Sequence, residues 1–140
     1  MKPLSLSFQS PPELSDVAVV LRGLDGTVPS DVPPIEKFAF FLKDDRSRIV
    51  AGATGCFFFG AIYTELLWVA PELRGQGQAK RLMDEVENLG RDRGCTFATV
   101  NTMSFQARPF YEKLGYIVEY EQKGYAGGAS KFFLRKSLSK

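Results

Sequence analysis

The chain has 140 residues, is 44% hydrophobic and 24% charged, and carries a formal net charge of +2, which suits one soluble globular domain over residues 1–140. So small a charge is too little to argue for a nucleic-acid or acidic-membrane partner, and no apolar run approaches the roughly 18 residues of a membrane span. Histidine is absent altogether, which removes Ser-His-Asp and Cys-His catalysis in their usual forms and most zinc sites, so no metal centre is expected.

The opening "MKPLSLSFQSPPEL" has one lysine and no sustained apolar stretch. It does not read as a signal peptide, and the expected location is the cytoplasm. Cys56 and Cys95 are too few for a disulfide framework or a thiolate metal site and read as core thiols in a reducing compartment. Residues 4–9 alternate and suggest a first strand. Next, Leu14, Val17, Ala18 and Leu21 follow helical spacing up to Gly23 and Gly26, although β-branching leaves a strand through 17–21 as an alternative. Residues 27–34, with three prolines, form a loop.

Three strand candidates follow at 36–43, 49–60 and 61–70, with the polar turn "KDDRSR" between the first two and Gly60 at the second junction. "LLWVA" is apolar at consecutive positions, as in a strand covered on both faces, and Pro71 stops it. Residues 75–93 form the strongest helix pattern, with a stripe of Ala79, Leu82, Met83, Val86 and Leu89. Glu87 and Arg91 make an i,i+4 pair on its charged side, and Gly94 ends it. A strand at 96–101, a short helix at 107–115, and strands at 116–121 and 130–136 complete the chain. Strand, helix and strand across 61–101 make a right-handed unit with parallel strands. The fold class is mixed α/β (α+β), with a largely antiparallel sheet.

Between the third candidate strand and the long helix lies "LRGQGQAKRLM". A helix N-terminus exposes unpaired N–H groups and partial positive charge. Glycines let a phosphate approach without meeting a Cβ. The amides of residues 75–80 can therefore converge on a pyrophosphate, with Arg74 and Lys80 adding charge. A glycine-softened turn is the plainer reading. The P-loop pattern has no match, and Lys80 occupies the place of the third glycine in the dinucleotide fingerprint.

What fits is R-x-x-G-x-[GA], met by Arg74, Gly77 and Ala79. With "LLWV" before it and "RGC" and "FQARPFYEKLGY" after it, the stretch from Tyr63 to Tyr116 strongly resembles the GNAT superfamily of N-acetyltransferases. The resemblance implies a central sheet of about 6–7 strands, splayed between the fourth and fifth strands and flanked by helices on both faces. It also implies acetyl-CoA as donor. The pantetheine would pair with backbone at Leu67 and Val69, and the pyrophosphate would lie on Arg74, Gly75, Gln76, Gly77, Gln78, Ala79 and Lys80. Main-chain pairing is physically apt, because pantetheine is an amide chain that a strand edge can bind. Ser104 stands where the family often has asparagine, and its hydroxyl is a further cofactor contact.

Such a reaction needs an amine stripped of its proton, a donor for the oxyanion and a proton source for the leaving thiolate. The resemblance assigns the thiol-side acid to Tyr111, the tyrosine of A-x-x-x-Y beginning at Ala107; a packing tyrosine beside Phe110 and Leu114 is the alternative. A backbone N–H near Val69 is the expected oxyanion donor. Glu65, a carboxylate in an apolar strand and two residues before Leu67, is the candidate base, acting through water; an orienting role is equally open. Glu36, Glu119 and Glu121 are weaker candidates.

The expected activity is direct acetyl transfer in a ternary complex to a small-molecule or protein amine, with no covalent enzyme intermediate. The competing reading is an acyl-CoA-binding sensor of the same fold without turnover. No nucleic-acid or membrane partner is expected, and a homodimer is left open. Residues 126–129 read "AGGA" where similar sequences tend to read "PPGH". The acceptor, framed by the first helix and the 27–34 and 121–130 loops, is not specified, and Tyr120, Tyr125 and Phe132 read as core or rim.

Overall fold

A computed structural model describes residues 2–139. The chain divides into two compact units, one ending at Pro34 and the other beginning at Ile35. In the first, helix α1 covers Leu14–Asp25, with Gly26 as its C-cap. Helical spacing prevails over the β-branching of Val17, Val19 and Val20, and Gly23 is accommodated inside the helix. Gln9 ties the entry: its Nε2 donates to Asp16 at 2.7 Å, and its Oε1 accepts the Glu13 N–H at 2.9 Å. Residues 4–9, expected as a strand, join no ladder and are exposed. Alternation makes a strand only when a partner supplies the backbone hydrogen bonds. Residues 27–34 form the expected loop.

The second unit is built on six strands: β1 (Glu36–Lys43), β2 (Ile49–Phe58), β3 (Ala61–Val69), β4 (Phe97–Met103), β5 (Ile117–Gln122) and β6 (Lys131–Ser137), in the spatial order β1-β2-β3-β4-β6-β5. Helix α2 (Gln78–Asp92) connects β3 to β4, and α3 (Arg108–Lys113) connects β4 to β5. Only the β3–β4 pair is parallel, so the expected mixed, mostly antiparallel architecture is what forms. The splay falls between the two segments expected, 61–69 and 97–103. They are the third and fourth strands here, because residues 4–9 supply none. Among the described residues no helix is long and apolar enough to cross a membrane.

Local chemistry fixes the two hairpins. Asp44 accepts the N–H groups of Arg46 and Arg48 and pairs with the Arg48 guanidinium at 2.8 Å, closing the turn after β1. Those hydrogen bonds, led by the Arg48 N–H, hold the Asp44 carboxyl below its ordinary value. The β2–β3 turn places Phe59 and Gly60 both at positive φ, as a tight two-residue hairpin requires.

One face of the sheet makes the core. Ala51, Ala53 and Phe57 of β2, Ile62 of β3, Ala98 and Val100 of β4, and Phe132 and Leu134 of β6 pack with Leu82, Met83 and Val86 of α2. Each large side chain so buried is worth about 1.5–3 kcal/mol. Ala79 and Leu89 flank the stripe, half-buried. Two expectations change here. Glu87 is not on the solvent face: it is 3% exposed, accepts the Tyr116 hydroxyl at 3.1 Å and pairs with Lys136 at 2.7 Å, while Arg91 stands off at 3.8 Å. Nor is the end of β3 covered on both sides, since Leu66 is 62% and Trp68 50% exposed.

Candidate active site

The loop from Arg74 to Lys80 is shaped by Gly75 (φ 76°) and Gly77 (φ 80°), the latter the N-cap of α2. Both lie in the left-handed region, where a side chain costs roughly 1–2 kcal/mol. The Arg74 N–H donates to Pro71 O, and the Arg81 N–H donates to Gly77 O. Among the described residues none of the six amides between them, Gly75 to Lys80, has an acceptor, and no side chain caps the helix. An uncapped helix start with a row of free donors is an anion cradle. Arg74 adds a positioned cation: its Nε donates to Val69 O at 3.0 Å, which anchors the guanidinium beside the cradle. Lys80 is less available, since it pairs with Asp84 at 2.9 Å.

Beside the cradle the strands part. β3 and β4 pair only from Ala61/Phe97 to Thr64/Val100, although both strands continue. On its other edge β3 remains bonded to β2. Ala70 N–H donates to Val50 O, so the alternate pairs Gly52/Trp68 and Thr54/Leu66 also exchange hydrogen bonds. The intervening residues Leu67 and Val69 therefore turn their backbone groups away from β2 and into the gap, where the Val69 O already accepts from Arg74 and the Leu67 groups and the Val69 N–H remain for a ligand. This is where an amide chain would find main-chain partners. A cavity of about 560 Å³ joins the two features, walled by Leu67, Val69, Arg74, Gly75, Gly77, Gln78, Ala79 and Lys80 of the expected residues, and by Leu73 and Phe110, which the sequence reading did not include. Its size suits a cofactor-sized ligand. The Gln78 Oε1 is the buried side-chain polar atom left without a partner among the described residues.

Glu65 sits at the point of parting, but not as strict alternation places it. β2 pairs Gly55 with Thr64 and then Thr54 with Leu66. Glu65 is the unpaired extra residue of a β-bulge, so counting two residues back from Leu67 no longer keeps it on Leu67's face. Thr64 and Leu67 now share the core face, and Glu65 is exposed on the opposite side near Tyr63 and Cys56. Burial, with the Glu65 charge behind it, raises both the Tyr63 phenol and the Cys56 thiol above their ordinary values. Cys56 is thus half-buried on this face, whereas Cys95 is a core thiol raised by burial.

Tyr111 is 6% exposed, edge-on to Tyr116 at 5.8 Å and to Phe110 at 5.2 Å between ring centroids. Burial pushes its phenol up to about 12. Among the described residues its hydroxyl has no hydrogen-bond partner and is not an orphaned buried atom, so it keeps access to open space. Ser104 follows β4 and is tied to the start of β6: its N–H donates to Ser130 O at 2.7 Å and its Oγ accepts the Ser130 N–H at 3.0 Å. The Gln76 side chain folds back to Glu72 O at 3.2 Å. Gln76, Ser104, Glu65 and Tyr111 lie outside the cavity wall. Of the weaker candidates, Glu36 pairs with Arg93 at 2.7 Å, and Glu119 and Glu121 are exposed on β5.

Comparison with known proteins bears on the family and the fold. The acetyltransferase (GNAT) family pattern matches residues 25–116. A blasticidin-S acetyltransferase from Streptomyces morookaense is 31% identical over 119 residues, covering 84% of this chain and 88% of the relative. The crystal structure of an acetyltransferase from Bacillus cereus superposes with a TM-score of 0.77 at 25% identity, covering 97% of each chain. An aminoglycoside 6'-N-acetyltransferase solved with coenzyme A shares the fold, with a TM-score of 0.67 at 18% identity over 75% of this chain and 74% of its own. The chain belongs to the acetyltransferase (GNAT) family.

Proposed function

We propose that the protein is an acetyl-CoA-dependent N-acetyltransferase passing the acetyl group directly to a primary amine in a ternary complex. The observation that carries this reading is the uninterrupted row of six unbonded amides opening onto the parted strands. The amides of Gly75 to Lys80 and the anchored Arg74 hold a pyrophosphate, and the inward-facing backbone of Leu67 and Val69 orients the amide chain. Acetyl-CoA, when bound, supplies the acetyl group as a thioester.

The Val69 N–H, directed into the gap, is the donor for the carbonyl oxygen during attack. Tyr111 stands at the thiol side. A phenol near 12 facing a thiol of about 8.5 would lose roughly 5 kcal/mol by giving up its proton outright. Tyr111 therefore serves as a hydrogen-bond donor that stays protonated. Glu65 takes the amine proton through water from the exposed side of the bulge, and the Ser104 hydroxyl hydrogen, free after its oxygen engages Ser130, is a further contact for the cofactor. One relative, matching 84% of the chain, is by name a blasticidin-S acetyltransferase, which favours an amine-bearing small molecule over a protein amine.

Acetyl-CoA titrated by calorimetry into wild type and Gly77→Val, with thiol release followed over a panel of amines, tests this. Apart from its chain neighbours, nothing among the described residues lies within 4 Å of a Cβ at Gly77, so the variant acts on the loop conformation and on the ligand's space. Affinity falls at least tenfold in the variant, and the wild type releases CoA faster with at least one amine. Equal affinity would refute the cradle; binding without amine-stimulated release would make the protein a sensor instead.

A further inference from the structure

Where β3 and β4 part, the two faces of the sheet differ. On the core face Thr64, Val100, Thr102 and Tyr111 are all buried, and the cavity walled by Leu67, Val69 and Phe110 is the opening there. The opposite face is open, and three polar side chains gather on it. Glu65 and Asn101 are the residues that would pair next if the parallel register of Thr64 and Val100 continued. Tyr63, opposite Thr99 in that register, reaches across to Asn101, whose Nδ2 donates to the phenolic oxygen at 3.3 Å. This bond spans the two strands at the root of the gap, and both side chains are half-buried rather than sealed. Among the described residues the Asn101 Oδ1 has no hydrogen-bond partner and is not an orphaned buried atom, so it faces accessible space, and the half-buried Tyr63 hydroxyl accepts the Asn101 bond while donating none.

We infer that the Tyr63–Asn101 pair is the specificity-determining element for the acceptor. It would select, with Glu65, a small-molecule primary amine that carries a hydrogen-bonding substituent beside the amino group. The inference rests on the acetyltransferase reading above. The chemistry is complementary: Glu65 attracts the cationic amine, the Tyr63 hydroxyl donates to a neighbouring hydroxyl or carbonyl oxygen, and the Asn101 oxygen accepts from a hydroxyl or amine. A bare alkylamine satisfies only the first of these. A site built to hydrogen-bond a substrate rejects analogues that lack the bonding group, because its own polar atoms are then desolvated without partners.

The test compares wild type with Tyr63→Phe and Asn101→Ala over a panel of short amines, each present with and without an adjacent hydroxyl or amide. Acetyl-CoA affinity is measured by calorimetry and kcat/KM by thiol release. Wild type prefers the substituted amines, and each variant narrows that preference about tenfold, the worth of one hydrogen bond. Acetyl-CoA affinity stays within twofold, which a merely structural loss at the strand junction would not allow. If wild type turns amines over but ignores the substituent, or if both variants keep its ranking, the inference falls and the acetyltransferase reading stands. If wild type releases no CoA with any amine, both fall.

Discussion

Gly55→Ala perturbs the site sharply without replacing any of its functional side chains. Gly55 faces Thr64 immediately before the bulge. A Cβ built on it lies 1.8 Å from the Tyr63 carbonyl oxygen and 3.0 Å from Phe38 Cε2. Real Cβ contacts essentially never fall below 3.0 Å, so the carbonyl must retreat by at least the difference, 1.2 Å. Overpacking costs about 1–3 kcal/mol when side chains can yield. Here the obstacle is the backbone of β3, held by β2 on one edge and β4 on the other, so the upper end, about 3 kcal/mol, is expected. Against a total stability of roughly 5–15 kcal/mol that is a large fraction, equivalent to a fall in Tm of roughly 12 °C. Gly52→Ala is the control three residues earlier on the same strand. Its nearest neighbours are the Phe41 ring edge at 3.0 Å and Phe40 O at 3.2 Å, which small adjustments relieve at about 1 kcal/mol or less. Thermal unfolding followed by Trp68, the only tryptophan, reads both variants. A Gly55→Ala Tm within a few degrees of Gly52→Ala would refute the geometry of the bulge.

Two further outcomes follow from the buried polar groups. Glu87→Ala removes the acceptor of the Tyr116 hydroxyl and the partner of Lys136, leaving a buried donor and a half-buried ammonium unpaired. A loss of about 3 kcal/mol is expected in urea unfolding, and a change under about 1 kcal/mol would show the network to be dispensable. Alkaline stability is the second. Burial raises Tyr111 to about 12, and burial with the Glu87 charge raises Tyr116 as well. Groups whose folded pKa lies above the unfolded value, near 10 for tyrosine, hold the fold best below that value. Stability is therefore lost as pH climbs from about 10 towards 12, by up to about 1.4 kcal/mol per pH unit for each tyrosine. Tyr111→Phe should flatten this decline, and parallel pH–stability curves for variant and wild type would contradict it.

The elements that the sequence discloses are those set by local period. Phe38, Phe40 and Leu42 alternate inward along β1, and Leu82, Met83 and Val86 recur at helical spacing along α2; β1 appears over the residues expected, while α2 starts at Gln78 rather than at 75 because Gly75 and Gly77 take positive φ. The cradle is equally local, because its glycines, its helix start and Arg74 all fall within seven residues. What stays hidden depends on distant partners. Glu87 looks like a surface glutamate until Tyr116 and Lys136 arrive from 29 and 49 residues away. Residues 4–9 carry a strand's alternation without a strand's neighbour. Tyr63 and Asn101 are unremarkable in their own segments, and only the parallel register brings them together across 38 residues.

The bulge at Glu65 belongs to the same class, and it explains why parting and chemistry coincide. A strand continuing in register past Thr64 would keep its bonds to both neighbours and leave no gap. The extra residue lets β3 hold β2 while its local twist increases, and pairing with β4 ends at the residue just before it. The same insertion resets the face count, so Leu67 and Val69 return to the core side with their backbone groups turned into the gap, while Glu65 is left on the open side. One inserted residue thus supplies the edge for an amide chain, the opening beside it and a carboxylate at its root. The cost of that arrangement is visible at Gly55, where the approach of Tyr63 O leaves no room for a side chain.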